Sequence, residues 1–178
     1  RPAFVADEEP FSVEHAAGKI LTMGGAENMK RTDLTVIILT GNEELHIGRC
    51  LEKLRDLNPL QVLVVESQKG DRTHEIAVEH GAACVWHDWP GNQAEQFNWA
   101  LDYVEKETGK GESEKGEGWI LRLDADEYLM PVTCDKLKEE LPKLSEEVAG
   151  LTLELKRRFC GREIRHATNG IRLLRLWR

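Results

Sequence analysis

Short apolar runs alternate with segments of helical spacing between residues 34 and 104. Residues 34–39 form a β-branched apolar run typical of a strand buried in a parallel sheet. A polar turn follows, and apolar residues then recur at helical spacing, which predicts a helix: Ile47, Cys50, Leu51, Leu54 and Leu57. The unit repeats with strands at 60–65 and 82–86, the first of them followed by a helix at 72–80. A third helix is predicted from the apolar face Ala94, Phe97, Ala100, Leu101 and Val104. Three such units in succession predict a parallel sheet with right-handed crossovers.

Residues 105–178 contain fewer predicted elements. Residues 105–118 hold four glycines, eight charges and no large apolar side chain, which predicts a solvated loop. A fourth strand is expected at 119–123 and a helix from Pro131 to about residue 144. Strands are predicted at 151–155 and 171–177, and because the chain ends within strand-like sequence we expect the domain to continue beyond it.

Composition sets the class of protein. The 178 residues are 40% hydrophobic and 31% charged, typical of one soluble globular domain. Residues 1–30 lack a sustained period and are interpreted as an N-terminal extension of unread role, which leaves residues 31–178 as the domain. No apolar stretch approaches the ~20 residues of a membrane span.

The net charge and the cysteine spacing disfavour nucleic-acid binding and a zinc site. A net charge of -8 disfavours binding to nucleic acid, because the molecule as a whole repels a phosphate backbone. The four cysteines are far apart and lack a Cys-x-x-Cys pair, which favours reduced thiols in a cytoplasmic protein over a zinc site. The histidines show no ligand spacing either.

Polar residues follow three of the predicted strands. In an open α/β sheet, ligands bind beyond the carboxyl ends of the strands, so these residues carry the candidate chemistry. They are Thr40, Asn42 and Glu43 after the first strand, Glu66, Ser67 and Asp71 after the second, and Asp124, Asp126 and Glu127 after the fourth. Such a cluster of acids repels itself unless a cation or hydrogen-bond donors lie among them.

Asp124 and Asp126 give the most specific signal. Residues i and i+2 of an extended segment point to the same side, so the two carboxylates are expected to share one Mg2+ or Mn2+ ion. Such an ion keeps coordination positions for substrate phosphate oxygens, which suits a diphosphate. The alternative is that this acidic segment caps the following helix.

Glu66 ends a strand where it could accept hydrogen bonds from a ribose or a base edge, or could equally cap the next turn. The glycine-rich dinucleotide and phosphate-loop fingerprints are absent, which disfavours NAD enzymes and P-loop NTPases. A phosphatase with Asp124 as nucleophile is also disfavoured, because that class carries its aspartate pair after the first strand.

Read in order, these turns resemble glycosyltransferase family 2. Residues 34–44, LTVIILTGNEE, look like the family's opening strand and nucleotide loop. VVES at 64–67 with GDRT at 70–73 resembles its V-V-D-S-x-S-x-D-R-T, and residues 119–127 resemble its strand ending in the metal-binding D-x-D. QFNWAL at 96–101, GREIRH at 161–166 and the tail at 172–178 are similar to the bacterial branch that builds lipopolysaccharide cores, capsules and exopolysaccharides.

The resemblance implies a fold and a set of binding residues. It implies a GT-A fold, an α/β architecture with a mostly parallel sheet flanked by helices, here C-terminally truncated. It also implies a nucleoside-diphosphate-sugar donor, most simply a UDP-sugar, and Mn2+ or Mg2+ as cofactor. The nucleotide-binding residues it implies are Thr40, Asn42, Glu43, Glu66, Asn98 and Asp124, with Asp124 and Asp126 as metal ligands.

The resemblance also implies a mechanism and points to where this chain departs from its relatives. The transfer is expected to be inverting, with Arg165 and His166 on the acceptor or phosphate side. Relatives tend to supply the catalytic base beyond the end of this chain, within which Glu127 and Glu163 are the candidates. Glu66 replaces the usual aspartate, and Gln96 stands where relatives often carry a cation.

As a whole, the resemblance implies a glycosyltransferase of bacterial cell-surface polysaccharide synthesis. Its acceptor is expected to be a saccharide or lipid-linked, and its place the cytoplasm, with peripheral association at the inner face of the membrane. The alternative is a catalytically silent GT-A module that binds a nucleotide sugar or a partner protein.

Overall fold

The computed structural model describes residues 32–108, 118–160, 162–164 and 171–178. The predicted N-terminal extension, most of the predicted glycine-rich loop, and Arg165 and His166 lie outside these residues.

The described residues form strands and helices close to the predicted ones. The strands are β1 (Thr32–Thr40), β2 (Pro59–Glu66), β3 (Ala83–Trp86), β4 (Trp119–Asp124), β5 (Gly150–Glu154), β6 (Arg158–Phe159), β7 (Arg162–Glu163) and β8 (Arg172–Trp177). The helices are α1 (Ile47–Leu54), α2 (Thr73–Glu79), α3 (Gln93–Thr108) and α4 (Pro131–Glu140), with a 3-10 turn at Leu141–Lys143.

Six strands form one mixed sheet in the order β3-β2-β1-β4-β8-β5. The pairs of β1 with β2 and β4, and of β2 with β3, are parallel, as the repeated βα units predict. β8 enters between β4 and β5 and is antiparallel to both. The sheet therefore changes direction next to β4, where the acidic segment begins.

Helices cover both faces of the sheet. Alternate residues of β1 point to opposite faces, so that Val36 and Ile38 join the core with α1 and α4, whereas Ile37 packs with α3. The helix-spaced residues of α1 are buried, as is Leu57 just beyond the end of this helix. Burial on both faces explains why these strands read as continuous apolar runs.

Gly81 and Pro131 lie at helix ends, as the sequence predicts. Gly81 follows α2 with φ of 80°, a left-handed conformation that glycine adopts without strain. Pro131 is the first residue of α4, where a missing N–H costs nothing.

Three predictions about the helices are wrong in detail. α3 continues to Thr108, so residues 105–108 of the predicted loop are helical, because a helix once nucleated extends at little cost through Glu and Lys. Ala94 is exposed in the first turn of α3, and Gln96 is buried instead. The predicted helix to residue 144 ends at Glu140 and tightens into the 3-10 turn.

All four cysteines are free. Cys50 and Cys134 are buried, Cys84 is half-buried and Cys160 is exposed. Burial raises the pKa of Cys50 to about 12, with the carboxylate of Glu127 adding to the effect. Among the described helices, none is long and apolar enough to cross a bilayer.

Candidate functional site

The carboxyl ends of neighbouring parallel strands bring the predicted polar residues to one edge of the sheet. Thr40 at the end of β1 lies opposite Glu66 at the end of β2, and Glu66 lies opposite Trp86 of β3. On the other side of β1, Leu39 lies opposite Asp124. Chain order reverses between β1 and β4, and such a switch point is where open α/β sheets form their ligand crevice.

The loops after β1 and β2 are joined by hydrogen bonds. The Ser67 hydroxyl donates to the Thr40 carbonyl at 2.9 Å, and the Asn42 amide donates to Gln68 Oε1 at 2.9 Å. The Glu43 N–H donates to the Thr73 hydroxyl at 2.7 Å. These bonds fix the main chain of the first loop against the second.

Asp71 is the anchor of the second loop. Its carboxylate accepts hydrogen bonds from the Glu44 N–H at 2.9 Å, the Thr73 N–H at 3.0 Å and the Thr73 hydroxyl at 2.6 Å. Desolvation opposes ionisation, but the bonds from Thr73 and Glu44 outweigh it and lower the pKa of Asp71. Asp71 therefore has a structural role within the loop pair.

Asn42 occupies a left-handed conformation with φ of 59°, and its side chain is exposed. A Cβ at Gly70 would lie 3.1 Å from Asn42 Oδ1. The close approach of these loops thus depends on Gly70 having no side chain and on Asn42 tolerating a positive φ. Thr40 is buried, and its hydroxyl lies 3.4 Å from the Val65 carbonyl.

Glu66 is a buried carboxylate at the centre of this edge. His74 Nδ1 lies 2.6 Å from Glu66 Oε1, and the imidazole stacks on Trp86 with ring centroids 5.6 Å apart. Burial raises the pKa of Glu66 above its ordinary value, and the His74 hydrogen bond partly offsets that rise. The carboxylate is therefore held in place by α2 from one side.

Asp124 lies between two arginines. Arg122 Nη2 lies 3.4 Å from Asp124 Oδ1, and Arg175 Nη2 lies 3.6 Å from Asp124 Oδ2. Arg175 makes its shorter contact, 2.5 Å, with Glu127 Oε1. Both contacts of Asp124 are longer than the 2.7–2.9 Å typical of a tight charge-assisted bond. The arginines therefore offset the acidic charge of this segment without saturating Asp124.

The extended geometry predicted for Asp124 and Asp126 is wrong. The Glu127 N–H donates to the Asp124 carbonyl at 2.9 Å, which closes a turn directly after β4. Asp126 is exposed in that turn, and its carbonyl accepts from Arg49 at 3.3 Å. Its position relative to Asp124 is thus set by a turn rather than by strand alternation.

The alternative role of this segment as a helix cap is also wrong. α4 has Met130 at its N-cap and no side-chain capping bond. Glu127 Oε2 instead accepts from the Asp124 N–H at 3.1 Å, within the turn itself.

The donor set at this turn fits a hard divalent cation. Among the described residues, nothing donates a hydrogen bond to the Asp126 carboxylate and no cation pairs with it, and the Asp124 oxygens are only loosely paired. Carboxylate oxygens are the ligands that Mg2+ and Mn2+ prefer.

The remaining predicted site residues are less informative. Asn98 lies on the exposed side of α3, and Gln96 is buried and accepts from His87 Nδ1 at 2.7 Å. The backbone of Glu163 is in β7, but its side chain lies outside the described part of the chain. The roles of Asn98 and Glu163 stay predictions.

The partners of Glu66, Asp124 and Glu127 leave no recognisable signal in the sequence. Arg175 lies 48 positions after Glu127, and Arg122 precedes Asp124 within a strand, so neither gave a recognisable motif. His74 follows the second loop on α2, and only its distance from Glu66 indicates a role.

The chain is similar to a known family and to several known proteins. The family described as Glycosyl transferase family 2 matches residues 35–173, most of the chain. An uncharacterized glycosyltransferase of Rickettsia typhi is 29% identical over 105 residues, which covers 59% of this chain and 32% of that protein. A counterpart in Rickettsia felis is 30% identical over the same share of this chain, 59%, and 32% of its own length. The chain thus spans about a third of the length of these curated relatives.

A solved structure shares the fold with a TM-score above one half. 4-Diphosphocytidyl-2C-methyl-D-erythritol synthase has a TM-score of 0.52 at 18% identity, covering 84% of this chain and 76% of that chain. Glucosyl-3-phosphoglycerate synthase from Mycobacterium tuberculosis, solved with Mn2+, UDP and glucosyl-3-phosphoglycerate, has a TM-score of 0.45 at 18% identity and covers 62% and 39%. Together with the family match, the observed sheet and flanking helices confirm the predicted GT-A fold class.

Proposed function

The chain belongs to glycosyl transferase family 2, and from that premise we propose that it transfers a sugar from a nucleoside-diphosphate-sugar donor to a saccharide or lipid-linked acceptor. UDP is the nucleotide we propose, and inversion at the anomeric carbon is the stereochemical course. The chain spans about a third of the length of the curated relatives it matches, and the activity is proposed for the whole protein.

One observation carries the proposal. The ends of β1, β2 and β4 bring Thr40, Glu66 and Asp124 to one edge of the sheet, at its switch point. A nucleoside bound beyond β1 and β2 would leave its diphosphate over the turn after β4. This order along the edge matches the order of groups in a nucleotide sugar.

Glu66 supports the nucleoside end of this assignment. His74 occupies one of its carboxylate oxygens and leaves the other as an acceptor for a ribose hydroxyl or a base N–H. Thr40, Asn42 and Glu43 lie in the adjoining loop, whose main chain is fixed by Ser67 and Thr73. Nucleotide contact by these three residues is part of the proposal.

Asp124 and Asp126 support the diphosphate end. These two residues would hold Mn2+ or Mg2+, which when bound offsets the charge that develops on the departing nucleoside diphosphate. Arg122 and Arg175 lie beside Asp124 and add positive charge to the same region.

The proposed reaction is a single displacement. The acceptor hydroxyl oxygen attacks the anomeric carbon as the bond to the diphosphate oxygen breaks, and a carboxylate takes the hydroxyl proton. Glu127 is a candidate base, but Arg175 and the Asp124 N–H already bond to its two oxygens. In this arrangement Glu127 positions the turn, and to act as a base it would have to exchange one of these partners. Glu163 is the second candidate.

The cellular setting completes the proposal. We place the protein in bacterial cell-surface polysaccharide synthesis, in the cytoplasm, where four free cysteines are stable. A lipid-linked acceptor would bring it to the inner face of the membrane.

Calorimetric titration with UDP, GDP and CDP, each with and without Mn2+, tests the binding step. Release of UDP from UDP-glucose or UDP-galactose then tests for chemistry. Metal-dependent binding of one nucleoside diphosphate, together with its release from the matching sugar donor, is the expected result. Absence of binding by all three nucleotides would contradict the proposal.

The pairing of Glu127 favours the silent module as a second candidate. A chain that binds UDP but releases none from either sugar donor, with or without added saccharide acceptors, would support that alternative. Measurable turnover would exclude it.

A further inference from the structure

Three potential metal ligands of different chemistry meet beneath the proposed nucleoside position. Glu66 ends β2, Cys84 lies in β3 opposite Val64, and His74 is in the first turn of α2. Residues two apart in a strand share a face, as do partners across a ladder, so Glu66 and Cys84 lie on the same side of the sheet. α2 packs on that side through Ala77.

The distances suit a single ion. Glu66 Oε1 and His74 Nδ1 are 2.6 Å apart. One potential ligand atom from each of Glu66, His74 and Cys84 lies within 4.8 Å of the other two. Bonds of about 2.0–2.3 Å to a tetrahedral Zn2+ place its ligand atoms roughly 3.3–3.8 Å apart. Side-chain shifts of about 1 Å would therefore convert this cluster into a coordinated site.

The charges are also balanced. A thiolate, a carboxylate and a neutral imidazole together carry two negative charges, which a divalent cation neutralises. Burial raises the pKa of Cys84 to about 12 and also raises that of Glu66, so the thiol is protonated in the metal-free protein. Binding of a dication would displace the thiol proton to solvent, which His74 reaches because its side chain is 46% exposed.

We propose that Glu66, His74 and Cys84 form a second metal site, selective for a thiophilic divalent ion such as Zn2+ or Co2+. Sulfur and nitrogen ligands select these ions, whereas the all-oxygen pair Asp124 and Asp126 suits Mg2+ or Mn2+. Three protein ligands leave a fourth position open. A metal at Glu66 also neutralises the carboxylate charge and weakens its second oxygen as an acceptor for a nucleoside, a consequence that rests on the proposed function.

Cobalt absorption spectroscopy under reducing conditions tests the site, because a bound thiolate gives a near-ultraviolet charge-transfer band. We expect this band in the wild-type protein at one equivalent of Co2+, its loss in Cys84→Ser, and its displacement by Zn2+. His74→Gln should weaken cobalt affinity at least about tenfold, since loss of even an outer-shell partner costs that much. Cys160→Ser removes an exposed thiol and is the matched control, in which the band should persist.

Three results would overturn the site: no thiolate band in the wild-type protein, a band that survives in Cys84→Ser, or a band lost in Cys160→Ser. Circular dichroism verifies the folding of each variant, and if Cys84→Ser does not fold, the affinity of His74→Gln decides the question.

A nucleotide titration separates this site from the proposed function. One equivalent of Zn2+ should weaken UDP binding about tenfold in the wild-type protein but not in Cys84→Ser, because the hydrogen bond from the nucleoside to a charged carboxylate is weakened. A cobalt band together with a UDP affinity that Zn2+ does not change would support the metal site. It would overturn the predicted effect of the metal on UDP binding. UDP binding without any cobalt band would overturn the site and leave the proposed function standing.

Discussion

The guanidinium of Arg175 lies 2.5 Å from the carboxylate of Glu127, and both side chains are largely buried. The pair connects β8 to the turn after β4, and thereby holds the turn that carries Asp124 and Asp126. Burial raises the pKa of Glu127, an effect that Arg175 and the Asp124 N–H partly offset. The conformation of the turn after β4, which carries Asp124 and Asp126, thus depends on the antiparallel strand β8.

Arg175→Met should lower the free energy of unfolding by about 3 kcal/mol, because it leaves Glu127 buried without its counter-charge. Urea denaturation of the single variants and of the double variant Arg175→Met/Glu127→Gln measures the coupling. The double variant should recover most of the loss, since it removes both charges together.

Lys143→Met is the control for this series. Lys143 pairs with Glu139 and Glu140 at exposed positions, and its removal should change stability little. Equal losses in Lys143→Met and Arg175→Met would show that the buried pair has no special importance.

The pH dependence of stability should report the burial of Glu66. Because its folded pKa is raised above the ordinary 4.5, the protonated form is favoured by folding. Its contribution to stability is therefore full below that value and is lost as pH rises through the folded pKa. Glu66→Gln, which stays neutral, should gain stability relative to the wild-type protein as pH rises.

Urea denaturation of both proteins from about pH 4 to about pH 7 measures this difference. A Glu66→Gln variant that loses stability relative to wild type with rising pH would mean that Glu66 is stabilised as a carboxylate. Asp71 has the opposite sign, because its pKa is lowered: its contribution is present at higher pH and is lost on acidification.

Asn42→Ala should destabilise the protein by about 1 kcal/mol, because alanine pays for the left-handed conformation that Asn42 adopts. Asn42→Gly accepts that conformation and should retain more stability, although it also loses the bond to Gln68. Thermal or urea denaturation compares the two. Equal destabilisation by both would assign the role of Asn42 to its amide and not to its backbone.

Local patterns predict the parallel half of this fold well. The apolar runs of β1 and β2 contribute buried residues to both faces of the sheet, and β4 buries Trp119, Leu121 and Leu123 on one face. Such strands are recognisable from a few consecutive residues. The carboxyl ends of parallel strands lie at the same edge of a sheet. Recognising these strands therefore also predicts that Thr40, Glu66 and Asp124 lie at one edge. The elements that position this half of the site were thus accessible from sequence.

The strand pairing of β8 and the ion pairs it forms could not be predicted from the sequence. Nothing local indicates that Arg172–Trp177 enters the sheet beside β4, or that Arg175 then reaches Glu127. The strand alternation assumed for Asp124 and Asp126 failed because one backbone hydrogen bond closes a turn there. Glu66, His74 and Cys84 come from three elements, so no spacing rule for metal ligands detects them.

UDP binding should depend on a divalent ion held by Asp124 and Asp126. Calorimetry with and without Mn2+ should be performed on the wild-type protein, on Asp126→Asn and on Asp135→Asn, whose exposed aspartate pairs with Lys138 on α4. We predict that Mn2+ strengthens UDP binding in the wild-type protein and in Asp135→Asn, and that Asp126→Asn loses at least about tenfold in affinity, or about 1.4 kcal/mol, when Mn2+ is present. UDP binding that is indifferent to Mn2+, or equally strong in Asp126→Asn, would show that Asp126 holds no metal for the nucleotide.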